Sequence, residues 1–131
     1  MRVLIVDDDR DGADSLVTLL AAAGHDVRVE VSARAGTEVV ASWKPDVALL
    51  DIGLPDGGAY LVASRVRAEP ATRTARLVAL TEWGQQEDRH RSAEAGFDHY
   101  LVKPVDPLHL KVLLNSVASG PRATGGRAPK G

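Results

Sequence analysis

The sequence predicts an α/β protein in which one layer of parallel strands is covered by helices on both faces. Short apolar runs alternate with helix-like segments along the whole chain, and that alternation is the pattern of βαβ construction. Three of the runs, VLIV, VALL and LVAL, are apolar throughout, as strands buried on both faces must be. A fourth, VRVEV, alternates polar and apolar residues and belongs at an edge.

The elements follow in order. Strands are expected at Val3 to Val6, Asp26 to Val31, Asp46 to Leu50, Leu77 to Leu80 and His99 to Val102. Asp11 is read as the cap of a first helix that runs to about Ala23, with Leu16, Leu19 and Leu20 facing inward and Gly24 as the stop. Ser32 caps a second helix that ends before Pro45. A third runs from Ala59 to Ala68, a fourth from Glu87 to Ala95, and a fifth from Asp106 or Pro107 to Ser119, where Pro107 suits a first turn. Residues 1–119 form one domain on this reading. The stretch 120–131, GPRATGGRAPKG, has no apolar periodicity and is expected to be disordered.

Composition narrows the function classes. The chain has 131 residues, enough for one domain with a core. Its formal net charge of -2 gives no electrostatic case for nucleic acid or an anionic membrane. With no cysteine, disulfides and thiolate metal sites are excluded. No apolar run approaches the roughly 20 residues that span a bilayer. The start, MRVLIVDDD, lacks the form of a signal peptide, so a cytoplasmic location is expected. The four histidines are scattered without ligand spacing.

In an open parallel sheet, ligands bind beyond the carboxyl ends of the strands. The residues there are Asp7 and Asp8 after the first strand, Asp51 after the third, Thr81 after the fourth and Lys103 after the fifth. Gathered carboxylates repel one another and call for a compensating cation. Three carboxylates, a hydroxyl and an ammonium suit a hard divalent ion and a phosphoryl group. Read alone, each residue has a bland explanation: a turn, a cap or a surface lysine.

Together, VDDD, LLDIGLPD, ALT and LVKPV, in this order and spacing, resemble the receiver domain of two-component response regulators. The resemblance covers Met1 to about Ser119 and implies a flavodoxin-like, doubly wound five-stranded sheet of order 2-1-3-4-5. The segment ALTEWGQQEDRHRSAEAGFDHYLVKPVD is most similar to receivers appended to hybrid histidine kinases. By this resemblance Asp51 is the phosphoacceptor, and Asp8, Asp51 and the backbone carbonyl of Gly53 hold Mg²⁺, with Asp7 acting through a water. Lys103 pairs with Asp51 and then with the phosphoryl group, Thr81 hydrogen-bonds that group, Tyr100 is the aromatic switch, and Pro104 follows a cis bond. The implied donor is a histidine kinase or histidine phosphotransferase. The implied output is a downstream protein or a phosphorylation-dependent homodimer, through the face of the fourth helix, fifth strand and fifth helix. Such a protein is a signalling phosphoacceptor, not a turnover enzyme.

Other readings fit less well. Haloacid-dehalogenase phosphatases also use an aspartate nucleophile, but theirs resembles DxDxT, and here the second aspartate is replaced by Gly53. A pseudo-receiver would lack part of the acid, hydroxyl and lysine set. Flavin binding would need a Ser/Thr-rich loop after the first strand. Two positions depart from the family: Gly58 and Ala59 stand before the aromatic Tyr60, where relatives commonly place glycine, and Glu82 follows Thr81, where relatives are usually small. The long acid at Glu82 is expected to alter access to Asp51.

Overall fold

The computed structural model describes residues 1–82 and 96–118. Five strands form one parallel sheet: β1 (Arg2–Val6), β2 (Asp26–Glu30), β3 (Val47–Asp51), β4 (Arg76–Thr81) and β5 (His99–Val102). Their order is β2-β1-β3-β4-β5, so the alternating strand β2 is an edge and the apolar β1, β3 and β4 are central. Four helices are described: α1 (Arg10–Ala22), α2 (Ala33–Trp43), α3 (Gly58–Ala68) and α4 (Pro107–Ala118). The last of these is the fifth expected helix. The fourth, Glu87 to Ala95, and the tail 120–131 lie outside the described residues.

Because side chains alternate across a strand, each central strand feeds two cores. Leu4, Val6, Ala48, Leu50, Leu77 and Ala79 face α2 and α3. Val3, Ile5, Val47, Leu49, Val78 and Leu80 face α1 and α4, where they meet Leu16, Leu20, Leu110 and Leu114. Leu19, expected on the inner face of α1, is only partly buried, and Ala13 is the fully buried residue of that helix's first turns.

Several boundaries differ from expectation, each for a local reason. α1 starts two residues earlier than an Asp11 cap implies, because Asp9 is the N-cap and its Oδ1 accepts the Gly12 N–H at 3.2 Å. β3 extends through Asp51, since its backbone continues the ladder opposite Leu80. α2, by contrast, ends at Trp43, before the buried Pro45 as expected, with Lys44 in the left-handed region at φ 56. Ahead of α3 lies a 3-10 turn, Pro55–Gly57, in which Asp56 and Gly57 both have positive φ.

Gly58 sits where α2 and α3 meet. A Cβ there would come within 2.8 Å of the Ala33 Cβ and 3.2 Å of the Leu54 Cβ, so α2 and α3 approach too closely at their N-termini for a larger residue. The opposite edge of the sheet is tied by Arg67 of α3. Its guanidinium donates to the carbonyls of Arg73 (3.0 Å), Ala75 (2.6 Å) and Gly96 (2.8 Å) and pairs with Asp98 at 3.0 Å. Asp98 Oδ2 in turn accepts the Leu77 N–H at 2.9 Å.

Candidate functional site

The parallel ladder brings the carboxyl ends of β1, β3, β4 and β5 to one edge, and the expected residues arrive there with it. Asp7 directly follows β1 and donates its N–H to the Glu30 carbonyl, which holds it against β2. Asp51 closes β3. One residue later the chain leaves the sheet: Ile52 N–H still bonds the Leu80 carbonyl, and Gly53 N–H turns back to Asp51 Oδ1 at 2.8 Å. Thr81 ends β4 and accepts the Lys103 N–H on its carbonyl at 2.8 Å, so the last residue of β4 and the first after β5 share a backbone bond. The Lys103–Pro104 peptide is cis, as expected.

Burial separates the three consecutive aspartates. Asp7 and Asp51 are buried, as is Thr81, whereas Asp8 and Asp9 are exposed. Asp9 serves as a helix cap, and its own N–H is fixed by Asp7 Oδ1 at 2.9 Å. Carboxylate oxygens of Asp7, Asp8 and Asp51 all lie within 4.8 Å of one another. A triple-aspartate run does not disclose which member is buried, which is exposed toward the cleft and which caps. The only hint in the sequence is Gly12, three residues after Asp9.

Lys103 is the cation among them. Its Nζ lies 2.7 Å from Asp7 Oδ2, 3.3 Å from Asp51 Oδ2 and 3.9 Å from Glu82 Oε2. Burial opposes the charge on Lys103, but the hydrogen bond with Asp7 and the negative charges of Asp51 and Asp7 outweigh it and raise its pKa. Asp51 is shifted upward as well. Burial is the main cause, the Gly53 N–H works against it, and the charge of Asp7 adds to it. Two buried carboxylates thus share one ammonium.

These groups border a cleft of about 370 Å³ lined by Asp7, Glu82, Lys103 and Pro104. A larger groove of about 500 Å³, between the C-terminal parts of α1 and α4, is lined by Leu19, Leu20, His25, Lys111 and Leu114. Asp7 and Lys103 of the charged cluster line the smaller one. Tyr100 sits on β5 opposite Ala79, partly buried against the core beneath α2 and α3. Trp43 is half-buried with the Arg28 guanidinium 4.9 Å above its ring.

The family model for the response regulator receiver domain matches residues 3–115. This chain belongs to that family. Among relatives, a 14.6 kDa protein of Leptolyngbya boryana, itself uncharacterised, is 36% identical over 110 residues, 84% of each chain. The phosphate regulon transcriptional regulatory protein PhoB of Escherichia coli K12 is 32% identical over 117 residues, which are 88% of this chain and 51% of that one. The receiver chain therefore spans about half the length of such transcriptional regulators. Among solved structures, a receiver domain protein of Methanospirillum hungatei JF-1 is 28% identical with a TM-score of 0.80, covering 90% of this chain and 94% of that one. The receiver domain of a sensor histidine kinase of Pseudomonas aeruginosa PAO1, solved with magnesium in its active-site cleft, has a TM-score of 0.81 at 24% identity and covers 91% and 98%. The sheet order agrees with the flavodoxin-like fold that the sequence resemblance implied. Among the described residues, no helix of the receiver is long and apolar enough to cross a membrane.

Proposed function

We propose that this receiver takes a phosphoryl group onto Asp51 and changes its binding surface in response. The observation that carries the reading is the pairing of a buried strand-end carboxylate with an ammonium 3.3 Å away, in a cleft that holds two further carboxylates. Phosphoryl transfer passes through a loose transition state in which positioning and charge neutralisation matter more than covalent assistance. Gly53 N–H fixes one oxygen of Asp51, leaving Oδ2 as the nucleophile on the side of Lys103. In the reaction Asp51 Oδ2 attacks phosphorus, the bond from phosphorus to a histidine nitrogen breaks, and the electron pair leaves on the imidazole. Lys103 then follows the negative charge onto the phosphoryl oxygens, and Thr81 supplies a hydroxyl at the same strand edge.

The donor set fits a hard divalent cation, for which Mg²⁺ is the choice supported by the magnesium-bound relative. Asp8 and Asp51 would hold it with the Gly53 carbonyl. Asp7, already 2.7 Å from Lys103, is suited to an indirect role. The ion supplies charge neutralisation at the phosphoryl oxygens.

The donor is a histidine kinase or histidine phosphotransferase, and the protein is a cytoplasmic signalling phosphoacceptor rather than a turnover enzyme. Its output runs through Thr81 and Tyr100 to a partner or a second copy on the side of β5 and α4. Residues 1–119 act as the receiver. The test is incubation with an acyl phosphate and Mg²⁺, followed by mapping of the hydroxylamine-sensitive mass increase. Labelling should fall on Asp51, vanish in Asp51→Asn, and require far more Mg²⁺ in Asp8→Ala. Undiminished labelling of Asp51→Asn, or full-rate transfer in excess chelator, would overturn the proposal.

A further inference from the structure

Among the described residues, the Lys103 ammonium meets three carboxylates in this cleft, and the third is unlike the other two. Asp7 and Asp51 are buried at the ends of neighbouring strands, whereas the Glu82 side chain is 62% exposed and approaches Lys103 from the solvent side at 3.9 Å. Glu82 directly follows Thr81 and lines the cleft with Lys103 and Pro104. A phosphoryl donor at Asp51 needs the same ammonium, which lies 3.3 Å from Asp51 and 3.9 Å from Glu82.

We propose that Glu82 is a donor-selecting residue. It draws the Lys103 charge toward the mouth of the cleft and repels incoming dianions, so that small dianionic phosphoryl donors react slowly while less highly charged donors are hindered less. Both effects are electrostatic and act in the same direction. They sit at an exposed position, so salt screens them. Glu82 touches neither nucleophile nor phosphorus and acts through Lys103 and the field of the cleft. The inference rests on Asp51 being the phosphoryl acceptor.

Two small donors separate charge from bulk. With acetyl phosphate, a dianion near neutral pH, Asp51 Oδ2 attacks phosphorus, the bridging P–O bond breaks, and the electron pair leaves on acetate. With phosphoramidate, a monoanion with a protonated nitrogen, the P–N bond breaks and ammonia leaves. Wild type, Glu82→Gln and Glu82→Ala are compared at saturating Mg²⁺ by the rate of appearance of the Asp51-bound mass increase. At low ionic strength both variants should react with acetyl phosphate roughly three- to tenfold faster than wild type, and the gain with phosphoramidate should be smaller. Near 1 M salt, where the Debye length is about 3 Å, the acetyl phosphate gain should fall below about twofold.

Equal rates for the three proteins at low salt would overturn the inference. So would a gain confined to alanine, or one that is the same for both donors and persists at high salt, because each signals bulk rather than charge. If wild type itself acquires no label at Asp51 from either donor, the phosphoacceptor reading fails. If Asp51 is labelled at rates indifferent to Glu82, only the selecting role fails.

Discussion

Replacing Asp51 by asparagine is expected to stabilise the metal-free fold at neutral pH, although it removes an ion-paired side chain from the centre of the site. Lys103 lies 3.3 Å from Asp51, an attraction of about 5 kcal/mol at an effective dielectric of ~20. Against it stands Asp7, with an oxygen within 4.8 Å, a repulsion of about 3.5 kcal/mol on the same scale. The exposed Asp8 adds roughly half of that, since water screens it more strongly. Attraction and repulsion come close to cancelling, so the cost of holding a buried carboxylate away from water decides the sign, as its raised pKa shows. Asparagine avoids that cost and keeps an oxygen for the Gly53 N–H, while Lys103 retains Asp7 at 2.7 Å. The gain should be on the order of 1–3 kcal/mol, or about 3–10 °C in Tm.

The pH dependence has a definite sign. With its folded pKa raised above the unfolded value, Asp51 carries no penalty below the unfolded carboxylate range and loses stability as pH rises through its folded pKa. The advantage of Asp51→Asn should therefore be full near pH 7.5 and shrink toward about pH 4. Thermal and urea unfolding in EDTA, followed by circular dichroism at several pH values, measures it. Mg²⁺ should narrow or reverse the difference, since a ligand at a hundred times its Kd adds about 2.7 kcal/mol to the form that binds it. A variant that melts below wild type in EDTA near pH 7.5 would refute the reasoning, because the Lys103 attraction would then exceed the cost of burial.

Arg67→Met should destabilise the receiver by about 3–5 kcal/mol, since it removes the ion pair to Asp98 and the donors to three loop carbonyls; urea unfolding gives the value. Gly58→Ala should cost roughly 1–3 kcal/mol by forcing α2 and α3 apart where their N-termini meet, and a Tm equal to that of wild type would contradict that packing.

Much of the architecture was legible because VLIV, VALL and LVAL are buried on both faces, and double burial leaves a direct mark on composition. The site followed from the strand ends, since a parallel sheet sends Asp7, Asp51, Thr81 and Lys103 to one edge whatever the intervening helices contain. Boundaries were less legible, because pairing at Asp51 is backbone hydrogen bonding and a carboxylate there looks like the end of a strand. The Asp9 cap was hidden among three identical residues whose burial differs. Arg67 left no mark at all. An arginine on a helix reads as a solvated charge, and its carbonyl partners are set by the folded paths of two distant loops. Glu82 was noticed as a departure, but its approach to Lys103 depends on where the chain turns after β5.

The Arg67 tie and the Lys103 cluster sit at opposite ends of the same two strands. Arg67 grips the chain just before β4 and just before β5, through Ala75, Gly96 and Asp98. At the other end the Lys103 backbone N–H donates to the Thr81 carbonyl at 2.8 Å, and the Lys103 ammonium lies 3.9 Å from the Glu82 carboxylate. β4 and β5 are thus bolted at both ends: the lower bolt is the Arg67 guanidinium, and the upper one is the Lys103 backbone N–H together with its ammonium. A change of charge at Asp51 loosens or tightens only the upper bolt.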